Sequence, residues 1–430
     1  MLPELRQRLL REMDSLPIYD IHTHISAGSA FAKTLADLVG YHYYTELTNS
    51  AEYRPDFHLG AGPEDLVRQV VERLPLVTNT VQYDWLMVIG EEFLGIRRHE
   101  WSAGDWGQLL ERAQRTMAEP GYGESVLSKA RIRRIYMTNQ PDDNLACIDR
   151  GLFVPCLRVD GFVFEMDKQA ERQRLERASG RAVASSADYE AAVAAVFDRF
   201  AAYGMAYAAI STIPNLRTRS VASEEAEGIL RRALAGERLD DVTRGDWAAY
   251  AMNVVAANCR RVRKPFHLMV GVRRGAYARG VGGQDLFDSL NSLAGYDHLF
   301  NEYWDVRFPV SVLSDTTGLE LAASCWMRHN LYPSGHWWYG NSPTDIAREL
   351  RRRLDIVPLG KIIAYYSDAY HAEYILPKFR MYRYELASAL AERMERSEEH
   401  PNMVPLSFAE ALDIAEALLV RNPCSLFEGG

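Results

Sequence analysis

The chain has 430 residues, 47% of them hydrophobic and 25% charged, with a formal net charge of −9. That composition belongs to a globular chain with a large core, and the acidic balance argues against a nucleic-acid partner, which needs clustered Lys and Arg. A few local arginines can still hold a small anionic substrate inside an acidic protein.

The opening "MLPELRQRLLREMDS" reads as a charged amphipathic helix without the apolar centre of a signal peptide, and no later run is long enough to span a membrane. Cys147, Cys156, Cys259, Cys325 and Cys424 are scattered and show no C-x-x-C spacing. They read as reduced thiols, and the expectation is a cytoplasmic protein with no membrane partner.

Short apolar runs ending in polar or small residues follow in chain order at 17–25, 134–140, 154–162, 206–214, 264–272, 307–315, 332–340 and 361–369. Most are separated by helical patterns with charged faces, such as "ADYEAAVAAVFDRFAAYG". Eight strands alternating with helices predict an α/β chain, a closed (β/α)8 TIM barrel spanning 1–430 as a single domain. A doubly wound open sheet is the alternative, but no glycine-rich phosphate loop follows the first run. Residues 26–131 predict a helical insertion between the first and second strands, within that same domain. Long loops of this kind emerge at the carboxyl ends of barrel strands, beside the active site. Residues 215–250, rich in Arg, Glu and Asp, read as a smaller solvated helical insertion.

Within "PIYDIHTHIS", His22 and His24 are two residues apart, so a strand turns both rings to one side. Two neutral imidazoles there chelate a divalent ion such as zinc. H-x-H by itself is more often two hydrogen-bonded histidines on a half-buried strand. Asp368, at the end of "AYYSDA", changes the balance, because the eighth strand of a closed barrel lies next to the first. Its other reading is a helix cap. Two His and one carboxylate with open positions make a catalytic metal set.

H-x-H on the first strand and Asp on the eighth resemble the amidohydrolase superfamily. Within it the chain resembles the uronate isomerase family, in its shorter divergent branch. The shared segments are "DIHTHI", "YHYYTEL", "YMTNQPDDN", "LRVD", "PFHLMVGVRR", "HWWYGN" and "YSDA". The resemblance implies a barrel enzyme interconverting aldose and ketose forms of a hexuronate, such as glucuronate and fructuronate or galacturonate and tagaturonate. It implies His22, His24 and Asp368 as ligands of one divalent metal, zinc first, with manganese, iron or nickel as alternatives. It also implies Asp368, Tyr43 and Arg158 as catalytic residues, with His42 beside Tyr43 and with Trp337 and Trp338 lining the substrate pocket. The partner implied is a small sugar acid, and the chain is expected to self-associate. The independent reading of Arg158 is an ion pair with Asp160.

Two positions depart from the family. Tyr370 stands where an arginine is expected two residues after the aspartate, which places Tyr370 among the substrate-binding candidates. Lys378, Arg380 and Arg273 are the other sources of positive charge. Met269 stands where many members carry histidine, and His267, on the same face, reads either as a third imidazole at the site or as a core histidine. No Lys or His falls on the fourth and sixth runs, which favours one metal over two. The loss of the arginine leaves open a metal-dependent hydrolase, lactonase or decarboxylase. A non-catalytic sugar-acid binder ranks last, because the ligand set is intact.

Overall fold

The structure, a computed structural model, describes residues 2–53, 62–101, 103–279, 281 and 284–429. Its strands are short: β1 (Ile18–Asp20), β2 (Ile132–Tyr136), β3 (Phe153–Val154), β4 (Leu157–Arg158), β5 (Ala208–Thr212), β6 (Phe266–Val270), β7 (Val272–Arg273), β8 (Leu286–Phe287), β9 (Phe308–Val312) and β10 (Leu331–Pro333). Parallel pairing joins β1, β2 and β3 in one sheet and β10, β9, β6, β5 and β4, in that order, in another, while β7 and β8 form an antiparallel hairpin. The central register runs from Ala208 opposite Phe266 to Thr212 opposite Val270, and Leu268 faces Val310. Every residue of β6 is buried, as expected of a parallel strand covered on both faces.

The architecture is therefore α/β with parallel sheets, and the ladder is open rather than a single closed ring of eight strands. Three of the expected strands are cut short for local reasons. The 154–162 run divides at Pro155, which has no N–H to give a ladder, and its end turns into the helix Asp160–Phe164. The 332–340 run leaves extended geometry at Gly335 and Trp338, whose φ angles are +56° and +46°. The 361–369 run forms no strand. Ile363 exchanges backbone bonds with Pro333 and Gly335, but Asp368 has φ +55°, a left-handed conformation that no ladder accommodates. An isolated bridge between Asn139 and Leu157 links the two sheets.

Ile21, Tyr136, Cys156, Tyr207, Met269 and Tyr366 come from strands or segments all along the chain, yet they pack into one cluster with Leu426 and Phe427 from the C-terminal segment. Around this centre lies a larger core shared with the helices. Between β1 and β2 the chain forms helices that include His42–Ala51, Val81–Ile89 and Trp106–Met117. The predicted first helix, Leu2–Ser15, packs on the long helix Ile375–Glu399. No helix among the described residues is long and apolar enough to cross a membrane.

Candidate active site

β1 ends at Asp20, and the chain continues through His22 and His24 alongside residues 366–369. The Asp368 N–H donates to the His22 carbonyl at 3.1 Å, and the His24 N–H donates to the Ala369 carbonyl at 2.8 Å. The Tyr207 hydroxyl donates to the Ile21 carbonyl at 2.6 Å and lies 3.2 Å from His22 Nδ1. Its single proton is thus committed, so its oxygen accepts from His22 Nδ1–H and leaves a lone pair on Nε2. Burial pushes the His22 pKa down to about 3, so the ring is neutral at neutral pH.

That lone pair lies 3.6 Å from Asp368 Oδ1, and His24 Nε2 lies 3.3 Å from the same oxygen. Burial alone raises the Asp368 carboxyl, but contact with His24, reinforced by His22 and Lys378, outweighs it and holds the group down at about 2. His22 Nε2 and Asp368 Oδ1 are both buried without a hydrogen-bond partner. Two converging lone pairs with no proton between them are unfavourable in a protein interior, and a cation relieves the repulsion. Ligand atoms of His22, His24 and Asp368 lie within 4.8 Å of one another. The residues fit one divalent ion.

A second set of groups holds Asp368 in its left-handed conformation. The Tyr41 hydroxyl donates to the Asp368 carbonyl at 2.8 Å, and the Tyr43 hydroxyl donates to Oδ2 at 3.3 Å. Lys378 Nζ donates to the Ser367 carbonyl at 2.7 Å and to the Tyr41 hydroxyl at 3.2 Å. Asp20 accepts from the Ser367 N–H at 2.8 Å and from the Ser367 hydroxyl. Lys378 is fully buried against the rings of Trp85, Tyr41 and Tyr43, at 4.5, 5.0 and 5.1 Å. Burial lowers the Lys378 pKa to about 7 and raises that of Asp20 to about 7.

In front of these groups opens a cavity of about 570 Å³. Its lining includes His24, His42, Tyr43, Asp368 and Tyr370, together with Arg158, Arg274, Trp337 and Trp338. Arg158 Nε lies 3.2 Å from Asp160. Arg274 lies 2.7 Å from Asp285 and 3.9 Å from Asp160. Two guanidiniums, Arg158 and Arg274, and four carboxylates, Asp37, Glu46, Asp285 and Asp368, border the same space. Tyr370 stacks on His24, with ring centres 4.9 Å apart and planes 23° from parallel. Burial lowers the His42 pKa to about 4, which leaves it a neutral imidazole.

The structure thus gathers His22, His24, Asp368, His42, Tyr43, Arg158, Trp337, Trp338 and Tyr370 in one place. The cavity contact and the Asp160 pair of Arg158 coexist. His267 reads from the sequence either as a third imidazole at the site or as a core histidine. It is fully buried, lies outside the cavity lining, and bonds Ser311 at 3.1 Å, with its ring 5.5 Å from that of His22. Of the expected cations, Arg380 pairs with Glu92 and Arg273 is exposed on β7, whereas Lys378 reaches Ser367 beside Asp368. Arg274, Tyr41, Asp20 and Tyr207 escaped the sequence reading. Only Asp20 carried a signal, as the residue two before His22.

No family model and no curated protein matches the chain. Solved structures do. A uronate isomerase from Thermotoga maritima superposes with a TM-score of 0.88 at 17% identity, covering 99% of this chain and 97% of that one. A glucuronate isomerase from Caulobacter crescentus gives a TM-score of 0.88 at 17% identity, covering 99% of this chain and 94% of that one. The chain has the fold of the uronate isomerases. A proposed metal-dependent hydrolase from Lactobacillus casei is similar at a TM-score of 0.57 and 16% identity, covering 97% and 96%. The uronate isomerase fold spans the described chain from end to end, insertion included. The ligand set lies at the carboxyl end of β1, beside the 361–369 segment.

Proposed function

We propose that this chain is an aldose–ketose isomerase of small sugar acids, with hexuronates as its substrate class. We take it as one (β/α)8 barrel domain over 1–430, with 26–131 as an insertion. The backbone bonds of 363 to Pro333 and Gly335, the bonds of 368–369 to His22 and His24, and the shared interior cluster support closure of the ring. The observation that carries the functional reading is an ionised Asp368, bonded by Tyr43, lining a cavity that Arg158 and Arg274 also line.

Aldose–ketose exchange removes a proton from C2 while the C1 carbonyl takes up the electron pair as an enediolate. The O2 hydroxyl proton passes to O1, a proton returns to C1, and O2 becomes the new carbonyl. Arg158 and Arg274 hold the substrate carboxylate, because a planar guanidinium matches its two oxygens. That anchors C1 and C2 toward Asp368. Asp368 Oδ2, turned away from the histidines, takes and returns the carbon-bound proton, and the Tyr43 hydroxyl steadies that oxygen. Trp337, Trp338 and Tyr370 exclude water from the enediolate. His22, His24 and Asp368 would hold a divalent ion, which would supply Lewis-acid polarisation of the sugar oxygens, and zinc, manganese, iron and nickel all suit that donor set.

The test is incubation of the metal-supplemented protein with a panel of hexuronates, following ketose by NMR. Conversion of at least one is expected, and no turnover of any sinks the reading. A second reading, a metal-dependent hydrolase or decarboxylase, is favoured by Tyr370, which puts a neutral ring against His24 where an isomerase of this family carries a cation. Incorporation of solvent oxygen into product, or release of carbon dioxide, would establish it.

A further inference from the structure

A second cavity, of about 850 Å³, adjoins the first, and the two share Tyr43, Glu46, Asp285 and Trp338 as walls. The inner cavity alone has room for a single hexuronate, since pockets of about 300 Å³ and upward hold small organic ligands. The outer one is therefore surplus to a one-ring substrate. Its lining has a distinct chemistry. Tyr53, Tyr277 and Tyr339 are 56%, 53% and 40% exposed, which is high for aromatic residues lining a cavity. Tyr339 stacks on Trp338 with ring centres 4.7 Å apart and planes 17° from parallel, and its hydroxyl bonds the Asp285 carbonyl.

Asn79, Gln82 and Thr344 in the same lining offer both donors and acceptors, which suits a ligand that gives and takes hydrogen bonds. The charged groups of this lining are Glu46, Asp84 and Asp285, with no Lys or Arg among its described residues. A second carboxylate is therefore repelled.

We propose that the outer cavity binds a neutral sugar ring, so that the substrate is a two-ring acid: a hexuronate at the reducing end, seated in the inner cavity, bearing a neutral glycosyl group that stacks on the tyrosines. The inner half of this assignment rests on the isomerase reading; the outer half stands on the cavity itself. Two measurements separate them. Saturation-transfer NMR with methyl β-glucopyranoside, alone and with no uronate present, is expected to show contact in the wild-type protein and at least a fivefold weaker signal in Tyr277→Ala and in Tyr339→Phe/Tyr277→Ala. Kinetics then compare a free hexuronate with the same hexuronate carrying a neutral hexosyl group. The two-ring acid is expected to have at least a tenfold higher kcat/KM, and Tyr277→Ala is expected to erase that advantage while leaving the one-ring rate within twofold. Tyr277 is exposed at the rim, so its replacement leaves the fold intact. No glucoside contact, or contact unchanged in the variants, overturns the outer site. Glucoside contact without turnover of either acid overturns the isomerase reading and keeps the outer site.

Discussion

The β5–β6–β9 sheet and the seam between β1 and residues 361–369 are built on opposite principles. In the sheet, register is continuous from Ala208–Phe266 to Thr212–Val270, and β6 is buried throughout. At the seam the ladder breaks, Asp368 sits at φ +55°, and Asp20, Lys378, Asp368 and His22 are all buried within a few residues of chain or one side-chain contact. The strained backbone costs on the order of 1 kcal/mol or more, and each buried charge costs more unless paired. The contrast teaches where the fold keeps its stability and where it keeps its chemistry. Apolar strands provide a rigid frame, and that frame holds polar groups in positions they would not adopt alone.

Two substitutions test that division at its extremes. Asp368→Asn removes the carboxylate but keeps the shape, and Asn tolerates left-handed backbone well. Turnover is expected to fall by about a thousandfold, from the loss of proton transfer. Bound metal, by elemental analysis, is expected to drop, with Tm unchanged or higher. Leu268→Ala in β6 should do the reverse. It should destabilise by about 2–5 kcal/mol in chemical denaturation through a core cavity, with kcat of the folded enzyme within about twofold. A large stability loss in Asp368→Asn, or a kcat collapse in Leu268→Ala, would break the comparison.

The same division explains what the sequence made legible. The sheet and the helices announce themselves through apolar periodicity, because each strand's burial is a local property of five residues. H-x-H and Asp368 were legible as a pair, since a barrel closes its last strand on its first. The short extents of β1, β4 and the 361–369 segment were not, because Pro155 and the left-handed Asp368 act through geometry that composition does not display. Lys378 was legible only as one of three sources of positive charge, and Tyr41 had no assigned role. Only the tertiary fold singles Lys378 out, bringing it under Trp85 and against Ser367. Arg274 adjoins Arg273 in sequence, and nothing but the hairpin decides which of the two enters the cavity.

Glu373 carries the seam's burden into pH dependence. It is fully buried, accepts from the Ala32 N–H at 3.0 Å, and burial raises its pKa from 4.5 to about 7. Between those values the folded state binds a proton that the unfolded state has released, so stability is highest below the lower value and declines as pH rises through about 7. The full difference corresponds to about 3 kcal/mol. Glu373→Gln keeps the amide acceptor and removes the titration. Its denaturation free energy is expected to match the wild type near pH 5 and to exceed it by up to about 3 kcal/mol near pH 8. Equal slopes with pH in the two proteins would show that the seam relaxes around this charge instead of resisting it.

The smallest effect concerns Tyr370, the residue that separates this site from the family pattern. Its ring stacks on His24 at 4.9 Å, and His24, unlike His22, is partly exposed, with no hydroxyl among the described residues in the role Tyr207 plays for His22. Stacking adds to the 3.3 Å contact with Asp368 in orienting that imidazole. An offset aromatic contact contributes about 1 kcal/mol, so Tyr370→Ala is expected to weaken metal binding about fivefold, measured by competition with a chelator. Tyr370→Phe keeps the ring and is expected to bind metal as the wild type does. If instead Phe loses as much as Ala, the hydroxyl rather than the ring is what the seam needs, and Tyr370 acts on the ligand or the metal rather than on His24.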